Sequence, residues 1–152
     1  MADVLIRDAR VGDGEGMTTC WLDFGRYYAT ISPEHFRVPD ADGQAAEFDA
    51  ATARRIHQAD ADKCMLVAET DSRVVGFIGA RVAQPWDTAS RQVMRELSQV
   101  RVEITVLAVA EAYRRQGIGT RLMAAAEEWA RGRGAVLATV VTYVGSYLSV
   151  PF

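Results

Sequence analysis

The sequence predicts an α+β domain, a three-layer α/β/α arrangement around a mixed central sheet. Three observations carry that expectation. Strand-like and helix-like segments follow one another in the order β-α-α-β-β-β-α-β. Two strand-like segments flank Thr70-Asp71-Ser72, a short polar connection that suits an antiparallel hairpin. Near the end, strand, helix and strand succeed one another as a parallel crossover does. One sheet with both kinds of neighbour is mixed.

The elements follow in order. Val4 to Arg10 reads as a short strand. Asp13 is placed to cap a helix whose apolar face is Met17, Cys20, Trp21, Phe24 and Tyr28, at three-and-four spacing. Pro33 interrupts it, and the stretch through Pro39-Asp40-Ala41-Asp42-Gly43 is a loop. A second helix covers Gln44 to Ala59 with a thin apolar face of Phe48, Thr52 and Ile56. The hairpin strands are Cys64 to Glu69 and Arg73 to Val82, the second apolar on both faces. Pro85 to Ser98 is irregular or partly helical. A strand over 101–109 leads through a glycine loop into a helix from Ile118 to about Arg131, with Ile118, Leu122, Ala125 and Trp129 as its buried stripe. Gly132 and Gly134 end that helix, and Val136 to Tyr143 is the last strand.

Composition narrows the function classes. The 152 residues are one domain's worth. A net charge of −3 lacks the basic excess of a nucleic-acid binder. Cys20 and Cys64 make no disulfide framework or metal knuckle, and His35 and His57 are isolated, so no metal site is expected. Met1-Ala2-Asp3-Val4 does not begin a secretory signal. A reduced, cytoplasmic setting is the default expectation.

The chemistry concentrates in Val102-Glu103-Ile104-Thr105-Val106-Leu107-Ala108-Val109 and the Arg114-Arg115-Gln116-Gly117-Ile118-Gly119 that follows. A buried strand that runs into a tight loop and opens into a helix gathers unpaired N–H groups and the positive end of the helix dipole at one point. A phosphate-bearing ligand suits that point. No Gly-Lys-Ser/Thr follows, so this is not a nucleotide P-loop, and the third glycine of a dinucleotide fingerprint is missing.

These residues resemble the GNAT superfamily of acyl-CoA-dependent N-acetyltransferases. Arg114-Arg115-Gln116-Gly117-Ile118-Gly119 matches each fixed position of the family loop, Arg or Gln, two variable residues, Gly, one variable residue, then Gly or Ala. Leu107-Ala108-Val109 resembles the end of the strand that lies along the pantetheine arm, and Met65-Leu66-Val67-Ala68-Glu69 with Val74-Val75-Gly76-Phe77-Ile78 resembles the central hairpin. The resemblance runs from about Val4 to Phe152 and is most specific over Val102 to Trp129. It implies the acyl-CoA N-acyltransferase fold in one domain over 1–152, with acetyl-CoA as cosubstrate. Amides from Arg115 to Thr120, with Gln116 and Ile118 among them, would hold the pyrophosphate, and Gly117 and Gly119 would let it approach. The strand edge at Leu107, Ala108 and Val109 would pair with the pantetheine. The Arg114 and Arg115 side chains either reach phosphate oxygens or stay solvated.

The chain departs from the family at its end. Ser146, Ser149 and Phe152 match the spacing of a pattern whose next residue is a Tyr that protonates the departing thiolate in many members. The sequence stops there, so the last helix and strand or strands of the family pattern are expected to be missing. Ala135 to Phe152 carries no charged residue. Without a cover, Val136, Val140, Tyr143 and Leu148 would face water, so a homodimer through 135–152 is expected. That stretch is too diluted by polar residues to span a membrane.

Glu103 is the candidate general base. Its neighbours Val102, Ile104 and Val106 are apolar, and partial burial would raise its pKa toward the working range. The competing reading is an edge glutamate paired with Arg101 or a distant arginine. Tyr143 and Tyr147 read as packing residues as readily as acids. Trp21, Phe24, Tyr27 and Tyr28 fall where the family forms its acceptor wall, and Trp86 is a loop candidate for specificity. The function expected is N-acetyl transfer from acetyl-CoA to a primary amine, on a small molecule or peptide, by direct attack in a ternary complex. The alternative is an acyl-CoA-binding module with little turnover.

Overall fold

Five strands hydrogen-bond in the order β1-β2-β3-β4-β5: Leu5–Asp8, Lys63–Thr70, Arg73–Ala83, Arg101–Val109 and Leu137–Val140. The computed structural model describes residues 3–142. β1 to β4 are antiparallel neighbours, and β5 runs parallel to β4. The helices are α1 (Gly14–Ile31), α2 (Gln44–Gln58) and α3 (Ile118–Arg131), with short 3-10 turns at Ala89–Arg91, Arg95–Ser98 and Glu111–Tyr113. The architecture is therefore the mixed-sheet α+β domain that the segment order predicts, and the α3 crossover supplies its parallel pair.

The β2–β3 hairpin turns at Asp71 and Ser72, whose φ values of 48° and 60° are both left-handed. Two such residues make the tight turn whose twist matches that of the strands it joins. Asp13 occupies the N-cap position of α1 but makes no side-chain cap bond. Its carboxylate instead accepts both terminal nitrogens of Arg7 at 2.8 Å and the Arg10 N–H at 2.8 Å. An ion pair from β1 outcompetes the local cap.

The two faces of the sheet carry separate cores. Ile78, Ala80, Val102 and Ile104 pack against Ile118, Leu122, Ala126 and Ala130 of α3. On the other face Val67, Phe77 and Ala108 pack against Met17 and Cys20 of α1, with Phe48 of α2 alongside. The stripe expected on α3 is corrected in its second half. Ala126 and Ala130 are buried, while Ala125 and Trp129 flank the core, because steps of four from Ile118 keep close to one line along the helix. α2 buries only Thr52, and Ile56 lies mostly in solvent, so its face is as thin as its sequence.

Two features near the end of β4 open the sheet. Gly79 pairs with Val106 and Ala80 with Ile104, which leaves Thr105 as an extra, bulged residue. A Cβ on Gly79 would lie 2.8 Å from Thr105 Oγ1 and 2.9 Å from Val106 Cγ1, so glycine makes room for the bulge. The β4–β5 pairing runs only from Arg101↔Leu137 to Ile104↔Val140. Beyond it, Thr105 to Val109 have no strand partner on that side among the described residues. The last strand is shorter than expected and ends at Val140, with Val136, Val140 and Val141 exposed. Tyr143, Ser146, Tyr147, Leu148, Ser149 and Phe152 lie outside the described residues. Among the described residues no helix is long and apolar enough to cross a membrane.

Candidate active site

The gap between β4 and β5 opens into a cleft of about 860 Å³. Its walls are the aromatic side of α1, the free edge of β4 from Ile104 to Val109, the first turns of α3, and Val140 to Thr142. One continuous space thus joins the N-terminus of α3, on one face of the sheet, to α1 on the other.

The loop before α3 is coiled by two left-handed residues, Arg115 at φ 62° and Gly117 at φ 80°. Glycine takes that conformation freely, whereas for an arginine it costs about 1–2 kcal/mol. Gly117 is the N-cap, and no side chain caps the helix. The first backbone N–H of this region with an acceptor is that of Arg121, which donates to the Gly117 carbonyl at 3.0 Å. Among the described residues, no backbone carbonyl accepts from the N–H groups of Arg115 to Thr120. That is a converging set of donors at the positive end of α3, suited to an anion. Gly119 has only Val109 Cγ2 near its absent Cβ, at 3.9 Å, so packing within the chain does not demand glycine there.

The strand edge presents its own donors and acceptors. The Ala110 N–H donates to Val75 on β3 at 2.9 Å. In an antiparallel ladder the direction alternates, so Ala108 also faces β3, and Leu107 and Val109 turn their N–H and C=O groups outward into the cleft. One outward group is engaged: Arg114 Nε donates to the Val109 carbonyl at 3.1 Å. The Arg114 guanidinium also stands 5.7 Å from the centroid of the Tyr27 ring. The first arginine of the loop is therefore turned inward, where the sequence left phosphate and solvent as its options.

Of the residues singled out for coenzyme binding, Leu107, Ala108, Val109, Arg114, Arg115, Gly117, Gly119 and Thr120 line this cleft. Gln116 and Ile118 do not. The Gln116 side chain donates to the Ala112 carbonyl at 3.3 Å, and Ile118 is buried in the α3 core, so both offer main chain alone.

Glu103 is not among the cleft-lining residues; its neighbour Ile104 is. Val102 and Ile104 point into the α3 core, so Glu103 faces the α1 side of the sheet. Its surroundings are charged where an apolar setting was expected. Oε2 accepts Arg81 Nε at 2.6 Å and Oε1 accepts Arg101 Nη2 at 3.5 Å. Arg81 lies opposite on β3, a cross-strand pairing that spacing along the chain does not reveal.

Trp21, Phe24, Tyr27 and Tyr28 all line the cleft. Trp21 and Phe24 are stacked at 5.3 Å, Phe24 and Tyr28 lie 4.5 Å apart, and the Tyr28 hydroxyl is 3.5 Å from Thr142 Oγ1. Trp86 is corrected: it sits outside the cleft, half exposed, with its backbone N–H donating to the Leu97 carbonyl. Met123, Ala124 and Glu127 were missed and do line the cleft. Their signal was present, since with Thr120 they form the α3 face beside the buried stripe. Thr105 was missed as well, because a bulge depends on the partner strand. The buried thiols are poor nucleophiles: loss of solvation pushes Cys20 up to about 12 and Cys64 up to about 11.

A sequence profile of the Acetyltransferase (GNAT) family matches residues 26–146. The chain belongs to the GNAT acetyltransferase family. The match takes in the latter part of α1, the hairpin, β4, the loop and α3, and so includes the cleft-lining residues other than Trp21 and Phe24. Several solved structures share the fold. A mutant of the BH1408 protein from Bacillus halodurans superposes with a TM-score of 0.74 at 19% identity, over 92% of this chain and 83% of that one. The aminoglycoside acetyltransferase AAC(6')-Iy, solved with a CoA-containing bisubstrate analogue, gives 0.63 at 19% identity over 97% and 85%. Glucosamine-6-phosphate N-acetyltransferase from Arabidopsis thaliana gives 0.62 at 12% identity over 93% and 84%. No protein of curated function matches this GNAT chain in sequence.

Proposed function

We propose that this GNAT domain transfers an acetyl group from acetyl-CoA to the primary amine of a small molecule, by direct attack in a ternary complex. The observation that carries the reading is the continuity of the cleft. It leads from the unpaired amides before α3, along the outward-facing edge at Leu107 and Val109, to the α1 face. A pyrophosphate at the amides and an extended arm along the edge would bring a thioester to the gap between β4 and β5, with α1 left for the amine.

Each residue then has a task. Backbone N–H groups of Arg115 to Thr120 bind phosphate oxygens. The Leu107 and Val109 amides fix the arm, and the Leu107 N–H, the nearer of the two to the gap, stabilises the oxyanion that forms when the amine nitrogen bonds to the carbonyl carbon. As the C–S bond breaks, the acetyl group passes to nitrogen, and the sulfur leaves as a thiolate that takes up the second proton released by that nitrogen, giving the coenzyme thiol. Glu103 takes the proton that the ammonium must lose, through a water, since its carboxylate lies one residue outside the cleft. Oε1, held by Arg101 only at 3.5 Å, is the less tightly paired oxygen and the one that accepts the proton.

The same ion pairs favour a second reading, an acyl-CoA-binding module with little turnover, because both carboxylate oxygens already have guanidinium partners. Release of the coenzyme thiol in the presence of amines separates the two. Glu103→Gln is expected to lower kcat about a hundredfold while leaving the Kd for acetyl-CoA unchanged. Equal turnover in the variant removes Glu103 from the mechanism, and no turnover in either form favours the module.

A further inference from the structure

The acceptor half of the cleft has a chemistry of its own. Its wall is the run Trp21, Phe24 and Tyr28 on α1, with Trp21 and Phe24 stacked within 10° of parallel. Trp21 and Phe24 are only partly buried, so part of each ring borders the space. Acidic charge is scarce there, and Arg114 brings a guanidinium over the neighbouring Tyr27 ring. Asp23, on the same helix, is turned away to Arg26 at 2.6 Å and to the Glu111 N–H at 2.8 Å. Glu103 is neutralised by Arg81 and Arg101. Among the described residues the one carboxylate lining the cleft is Glu127, on α3, which is within 3.4 Å of Arg131. Residues 143–152 contain no Asp or Glu, so that segment adds no acidic side chain.

We infer, on the acetyl-transfer reading above, that the acceptor is a monoamine on an aromatic or apolar body and not a polycationic aminosugar. Stacking on Trp21 and Phe24 binds the body, and the single ammonium gains the attraction of the ring faces. An acceptor with several ammonium groups would have to desolvate them in a space that supplies too few carboxylates to pair them. A phosphorylated aminosugar presents less apolar surface to that wall than an arylalkylamine and brings a phosphate that must be desolvated beside it.

Calorimetric titration of the full chain, saturated with CoA, tests this with three probes: 2-phenylethylamine, kanamycin and glucosamine 6-phosphate. The expected result is a Kd for 2-phenylethylamine at least tenfold below the other two. That preference should fall about tenfold in Trp21→Leu, with CoA affinity retained. A second variant spares the core: Val141→Glu, at a side chain 97% exposed on the cleft rim, should tighten kanamycin binding severalfold. Tighter wild-type binding of kanamycin or glucosamine 6-phosphate overturns the inference, as does failure of all three probes to bind the CoA complex. The acetyl-transfer reading fails separately: 2-phenylethylamine that binds but releases no thiol from acetyl-CoA upholds the pocket and refutes the reaction.

Discussion

Arg114 donates its Nε–H to the carbonyl oxygen of Val109, 3.1 Å away, and so ties the loop before α3 back to the strand it has just left. Tyr27 of α1 stands beneath the same guanidinium. One side chain thereby fixes the donor loop, the strand edge and the α1 wall relative to one another. Arg114→Ala is expected to cost about 1–3 kcal/mol of stability in urea denaturation, from one charge-assisted hydrogen bond and one cation–π contact. Arg114→Lys is the informative companion. Lysine keeps the charge but lacks the planar fork, so it should lose most of that stability and weaken CoA binding as well. A lysine variant with unchanged stability would mean that the charge alone matters.

The two loop glycines should respond in opposite ways. At Gly117, φ is 80°, and alanine there is expected to destabilise the chain by about 1–2 kcal/mol. Gly119 lies in the first turn of α3 with open space around it, so Gly119→Ala should stabilise the free protein by up to about 1 kcal/mol. The added methyl should nevertheless weaken acetyl-CoA binding at least tenfold, because it occupies the approach to the amides. Thermal melts with and without acetyl-CoA report both effects.

Asp13 gives the fold an acid limit. Burial pushes its carboxyl up, but the bidentate Arg7 guanidinium and the Arg10 N–H outweigh that and hold it below the usual carboxylate range. Its stabilising contribution is therefore complete above the unfolded value of about 4 and is lost as pH falls through the lower, folded value. Asp13→Asn should cost about 1–3 kcal/mol at neutral pH. Below about pH 4 the wild-type melting temperature should drop toward that of the variant, so that the two curves converge. Parallel curves down to pH 2 would assign the acid sensitivity to other carboxylates.

Local signals served well where local physics decides. Ile118 as the first residue of α3, β4 over 101–109 and the Asp71–Ser72 turn all rest on glycines, turn residues and periodicity within a few positions. What escaped depends on partners distant in the chain. Asp13 is claimed by Arg7 through the β1–α1 packing. Glu103 meets Arg81 only because β3 and β4 pair in one register. Thr105 projects into the cleft only because β4 bulges opposite Gly79. The cleft itself exists because the β4–β5 pairing stops at Ile104. A sequence pattern marks the donor loop, but the acceptor side is assembled by tertiary contacts.

We take the amides before α3 and the free edge of β4 to form an acetyl-CoA site. Thermal denaturation of the chain with acetyl-CoA at about a hundred times its Kd, with NAD and ATP as controls, tests it most directly. Binding to the folded state alone should add about 2.7 kcal/mol and raise the melting temperature by several degrees. A rise with acetyl-CoA and none with NAD or ATP is the predicted result. No rise with acetyl-CoA, or an equal rise with ATP, would rule that site out.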